Sequence, residues 1–246
     1  MAKTLVWISG ASSGIGKALA ATLPWQDVRL IGVSRRPPST GEHLEADLAD
    51  PRSWETVRQS FERELHGWSG ERVVFVHAAG VAGPIGFAGE VDTGSYSRSA
   101  ILNSAAPQAL GHMFLAAAKD VDARRQIVML TSGAASSIYP GWAAYGAGKA
   151  AVDQWVRDVG AEQNLRGGVE LMAVAPGTVD TGMQEQIRQT DEKDFPQRQK
   201  FLDLHQAGKL ADPFRVAQDI WALLDHGLQN GPVVDLRKLP SRQSKS

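Results

Sequence analysis

The chain has 246 residues, enough to enclose one large core, and α/β folds of this length commonly form a single domain. Twenty-six Lys and Arg balance twenty-seven Asp and Glu, and the net charge of −1 gives no electrostatic case for a nucleic-acid or membrane partner. Zero cysteines exclude disulfides, thiolate chemistry and Cys-based metal sites. His43, His66, His112, His205 and His226 stand without metal-ligand spacing, so no metal is expected. Met1-Ala2-Lys3-Thr4 passes straight into an apolar run with no signal-peptide core, and no apolar run approaches roughly 18 residues. A cytoplasmic protein is expected.

In chain order, Thr4-Leu5-Val6-Trp7-Ile8 opens as a buried strand over 4–9. It runs into Gly10-Ala11-Ser12-Ser13-Gly14-Ile15-Gly16 and a helix-like Lys17-Ala18-Leu19-Ala20-Ala21-Thr22-Leu23. Glycines permit a tight turn with close backbone approach, and the helix start offers unpaired N–H groups to a pyrophosphate. The spacing is Gly-x-x-x-Gly-x-Gly, in the strand–loop–helix setting that dinucleotide binding requires. A second strand over 28–33 ends at Ser34-Arg35-Arg36. A carboxylate there would hold a ribose hydroxyl and select NAD. A hydroxyl and two guanidiniums instead point to a 2′-phosphate, hence NADP(H).

Further strands are predicted over 72–77, 126–131 and 169–175, with a short last one over 232–236. Apolar runs alternating with helical segments argue for right-handed β–α–β units. The expected fold is α/β, a single-domain Rossmann-type doubly wound parallel sheet with helices on both faces, over 1–240. The tail 241–246 reads as frayed. A helix over 142–165 carries Tyr145 and Lys149 four residues apart, and Ser132 precedes Tyr145 by thirteen. An i,i+4 pair projects from one helix face, so phenol and ammonium share a site. A free phenol titrates near ~10, and a neighbouring cation lowers that toward the working range of an acid-base catalyst. The helix's many small residues suit close packing against another helix, within the fold or across a subunit boundary. The irregular stretch 183–210, with short amphipathic helices around Asp194-Phe195-Pro196, reads as a lid over substrate.

With the glycine loop, Ser132, Tyr145 and Lys149 assembled, the chain resembles the short-chain dehydrogenase/reductase family over nearly its whole length. The resemblance implies that Asp47-Leu48 contact adenine and that Asn103 holds a proton-relay water. It also implies that Pro176-Gly177-Thr178-Val179-Asp180-Thr181 grips the nicotinamide, through Val179 and Thr181 in particular. The family usually shows Asn-Asn-Ala-Gly where this chain has His77-Ala78-Ala79-Gly80. Ala79 and Gly80 still allow close cofactor approach, and His77 reads as a core residue rather than a catalyst.

Ser132-Gly133-Ala134-Ala135, Tyr139-Pro140-Gly141-Trp142, Asp180-Thr181-Gly182-Met183-Gln184 and Asn230-Gly231-Pro232-Val233-Val234-Asp235 resemble the sepiapterin reductase and benzil reductase branch. The likeness puts Trp142, Met183 and Asp235 at the substrate, with Asp235 as a pterin anchor. The implied activity is an NADPH-dependent carbonyl reductase acting on an α-dicarbonyl or a pterin side chain. Tyr145 would donate the proton, Ser132 fix the carbonyl oxygen, and Lys149 lower the Tyr145 pKa and bind ribose. A 3-oxoacyl thioester reductase or an alcohol dehydrogenase of the same family is the alternative, and an NADP(H)-sensing binding protein the non-enzymatic one. The missing carboxylate at Ser34 argues against NAD-linked oxidation, and the complete set Asn103, Ser132, Tyr145, Lys149 against a sensor. A homodimer or homotetramer is expected.

Overall fold

Strict alternation within the strands makes this a sheet buried on both faces. In β1 (Thr4–Ser9), Leu5 and Trp7 enter one core while Val6 and Ile8 enter the other. The computed structural model describes residues 2–225 and 230–239. After β1 come α1 (Gly14–Ala21), β2 (Val28–Ser34), β3 (Glu42–Glu45), α2 (Trp54–Leu65) and β4 (Arg72–His77). The middle of the chain forms α3 (Thr93–Ala100), α4 (Ala106–Ala117), β5 (Arg124–Leu130) and α5 (Ala143–Arg166). It ends in β6 (Glu170–Ala175), α6 (Gly182–Gln189), α7 (Arg198–Gln206), α8 (Pro213–Asp225) and β7 (Val233–Asp235).

The described strands form one parallel sheet in the order β3-β2-β1-β4-β5-β6-β7. That is the doubly wound α/β fold expected from the sequence. One core packs α2, α4 and α5 on the sheet through Phe61, Phe114 and Val156; the other packs α1 and α8 through Leu19 and Trp221. Trp7 meets Phe61 and Phe114 edge-on at 5.2 and 6.1 Å, and its indole N–H donates to Ser60 Oγ at 3.1 Å. Each such ring stabilises the fold by roughly 1.5–3 kcal/mol through burial, and pairing its polar atom avoids the offsetting desolvation cost.

Chain order reverses between β1 and β4, so the connections leave the C-terminal ends of these two strands in opposite directions and open a crevice. Ser9 is level with Val33 and His77 in register, which brings the glycine loop, the Arg35 turn and the His77 segment to one edge. The small residues of α5 are used within the chain. A Cβ at Gly148 would lie 2.8 Å from Asn103 Cβ, and one at Gly160 2.3 Å from Gly231 Cα. The tail 241–246 lies outside the described residues. No helix among the described residues is long and apolar enough to cross a membrane.

Candidate active site

At the crevice, Gly10 adopts φ +72° and its missing Cβ would sit 2.9 Å from the Ala79 backbone, so the loop packs directly on the segment after β4. A Cβ at Gly16 would fall 2.3 Å from Gly10 O. Gly14 is also left-handed, at φ +53°, facing Thr181. Ser13 caps α1 without any side-chain hydrogen bond, and the first turn holds no acidic residue. The helix N-terminus therefore keeps its N–H groups for an anion.

Gly10, Ser12, Ser13, Ser34, Arg35, Arg36, Asp47, Leu48, Ala79 and Gly80 line one chamber of the crevice. Ser34 does not face the chamber with its hydroxyl, which donates to Arg36 O at 2.7 Å and shapes the turn. Arg35 and Arg36 are exposed and make no ion pair among the described residues. Asp47 accepts from Ala49 N at 3.1 Å and from Arg98 Nη2 at 2.7 Å. Arg98 lines the same chamber, and no local sequence signal marks it.

Gly80 also borders the second chamber, which Ile15, Ser132, Trp142, Tyr145, Lys149, Pro176, Gly177, Val179, Thr181 and Met183 line. Ser132 Oγ accepts from Ala134 N at 3.2 Å, which leaves its own hydrogen to donate. Tyr145 and Lys149 lie on the buried face of α5, 7% and 5% exposed. Lys149 Nζ donates to Leu130 O at 2.9 Å and stands 5.8 Å from the Tyr145 ring centre.

The electrostatics depart from the expected lowering of the Tyr145 pKa. Burial pushes the phenol up, and the Ser132 hydroxyl, not Lys149, pulls it partly back. Burial brings Lys149 down to about 8, with Asp153 opposing. The physical reason is that desolvation of the buried phenol dominates, while the Lys149 ammonium donates to the Leu130 carbonyl. Asn103, fully buried in a π-helical turn (Ile101–Ala105), spends its carboxamide on Val81 N at 3.2 Å, Val81 O at 2.9 Å and Ser99 Oγ at 3.1 Å. Its side chain braces the segment after β4.

Around Trp142 lies a third apolar cluster, separate from the two sheet cores. Trp142 is 5.1 Å from the Tyr145 ring, 4.8 Å from Phe195 and 5.6 Å from Phe201, with Tyr139 at 5.2 Å. Phe195 links α6 to α7 and is fully buried, which ties the predicted lid region to the catalytic residues. Asp235 does not line the chamber. Its carboxylate turns onto Arg237, accepting from Nε at 2.9 Å and Nη2 at 2.6 Å, and Arg237 occupies the wall instead. An Asp-x-Arg pair at the end of the last strand was the only sequence signal for it.

The short chain dehydrogenase family model matches residues 4–192, and the chain belongs to that family. It is an oxidoreductase acting on CH–OH or C=O groups, with a nicotinamide dinucleotide cofactor. The benzil reductase ((S)-benzoin forming) of Bacillus subtilis (strain 168) is 31% identical over 94% of this chain and 97% of that protein. The sepiapterin reductase of Mus musculus is 30% identical over 93% of this chain and 94% of its own. The crystal structure of the KRED1-Pglu enzyme matches with a TM-score of 0.79 at 25% identity, covering 94% of this chain and 100% of that one. The residues fit the cofactor: an uncapped helix N-terminus beside Ser12 and Ser13 suits a pyrophosphate.

Proposed function

We propose that the protein is an NADPH-dependent carbonyl reductase whose substrate is an aryl α-dicarbonyl of the benzil type. The aromatic chamber against Tyr145 carries this reading, because Trp142, Tyr139 and Phe201 offer flat apolar walls to aryl rings beside the proton donor. The likeness to benzil reductases supports it. The phosphate preference rests on Arg35 and Arg36, exposed at the end of β2 where no carboxylate stands. A pterin is the second reading, favoured by the sepiapterin reductase relative and disfavoured by Arg237 filling the Asp235 carboxylate.

Ile15, Pro176, Gly177, Val179 and Thr181 would hold the nicotinamide, which when bound supplies the hydride. Ser132 donates its hydrogen to the substrate oxygen. Tyr145, kept protonated by its raised pKa, gives that oxygen its proton. Lys149, still charged at neutral pH, stabilises the phenolate that remains. The cluster around Phe195 excludes water from the transfer.

An NADPH-consumption screen across a diaryl diketone, a quinone, a pterin, an aliphatic ketone and a 3-oxoacyl thioester tests the reading. The diaryl diketone should give the highest kcat/KM, and NADPH should outperform NADH by about tenfold or more, the scale of lost charged hydrogen bonds. Highest kcat/KM on the thioester, or equal use of NADH, would overturn it.

A further inference from the structure

Arg237 sits in the 3-10 turn (Leu236–Lys238) that follows β7, and three bonds to Asp235 fix it: its own N at 3.1 Å, Nε at 2.9 Å and Nη2 at 2.6 Å. Two glycines make room for it. A Cβ at Gly177 would lie 3.1 Å from both Cγ and Cδ, and a Cβ at Gly133 would lie 3.3 Å from Nη2. The guanidinium is therefore held between the residue after Ser132 and the Pro176-Gly177 segment, on the wall of the catalytic chamber. Its side chain is 57% exposed, and Nη1 bonds to nothing among the described residues.

Among the described residues, the charged ones of the chamber wall are Lys149 and Arg237, with no carboxylate. Lys149 is buried and committed to Leu130 O. Arg237 is thus the accessible charged donor among the described residues, and Asp235 offsets its net charge. A substrate carboxylate would gain little there, because Asp235 already pairs the guanidinium. A neutral acceptor oxygen gains an oriented N–H and needs no net charge to hold it. A pterin's guanidine-like edge needs a free carboxylate, and this chain has already filled Asp235 with its own guanidinium.

We propose that Arg237 selects the substrate, donating through Nη1 to the second oxygen of a vicinal diketone while blocking the one carboxylate that would read a pterin. This deepens the function proposed above and rests on it. The physical consequence is a preference for two adjacent oxygens over one, because a diketone pairs the guanidinium N–H that a monoketone leaves unpaired.

The test compares benzil with 1,2-diphenylethanone, which keeps both rings and lacks the second oxygen. The ratio of their kcat/KM values should fall about tenfold or more in Arg237→Met, mainly through a raised KM for benzil. Arg237→Lys keeps the charge and lacks the planar fork, so its ratio should fall between the two; it serves also if the Met variant does not fold. Parallel losses on both ketones would make Arg237 a brace of the cleft, and an unchanged ratio would remove it from substrate contact. Either overturns the role of Arg237 alone. Wild-type enzyme that reduces other carbonyls but not benzil would overturn the function reading beneath it.

Discussion

Ser9 takes up bracing that the family's usual asparagines would supply. Its Oγ accepts from Ala78 N at 3.1 Å and Ala79 N at 3.2 Å, so its hydrogen points to His77 Nδ1, 3.1 Å away. The ring proton of His77 then sits on Nε2, which has no partner among the described residues, and burial brings the imidazole pKa down to about 3. His77 is a neutral core residue, as the sequence implied. At the acid-base pair, the kcat/KM for reduction should hold level through neutral pH and fall as pH rises through about 8. The sign follows from Lys149: below that value it is charged and stabilises the phenolate, above it the charge is lost. Tyr145→Phe should lower turnover at least ~10²-fold across the profile while NADPH still binds. A profile that rises through pH 8 would mean that neutral Lys149 is the active form. Tyr145, Lys149 and the glycine loop were legible because their geometry is local. Arg98 and Ser9 were not, because their partners lie 51 and 68 residues away and only folding brings them together.

At the scale of elements, hydrophobic period decided what could be read. The runs at β1, β2 and β4 are apolar on both faces and announce themselves, whereas β3 reads Glu-His-Leu-Glu with three residues exposed. It is an edge strand fixed by pairing with Ile31–Ser34, a tertiary cause that no local pattern carries. The stretch 183–210 was legible in outline as short helices around an irregular segment; its aromatic anchoring was not, since Phe195 meets Tyr139 and Trp142 from more than fifty residues away. Because that cluster is separate from both sheet cores, Phe195→Ala should loosen α6 and α7 locally. Limited proteolysis within 183–210 should accelerate and kcat/KM fall by at least ~10-fold. The loss in global stability should stay below the ~3–5 kcal/mol usual for a core Phe→Ala. Loss of the full amount in one cooperative transition, with no new cleavage, would show that this segment folds as one unit with the sheet.

At the scale of the whole molecule, every part of the crevice hangs from the reversal of strand order at β1 and β4. Segments from the loop after β1 to the turn after β7 line one chamber or the other. A dinucleotide spanning both chambers therefore ties together segments that no single hydrogen bond within the chain connects, and its binding should appear as stability of the entire fold. At about 100 times its Kd, NADPH should stabilise the native state by ~2.7 kcal/mol, which for a domain of this size raises Tm by roughly 5–10 °C. NADH at the same concentration should give a much smaller shift, because Arg35 and Arg36 have no 2′-phosphate to pair. Replacing Ser34 with Asp and Arg35 with Leu removes one charge partner and places a carboxylate at the end of β2. That variant should lose most of the NADPH shift and gain one with NADH. If NADH already stabilises the wild type as much as NADPH does, the two arginines bind no phosphate, and the assignment of the cofactor falls with them.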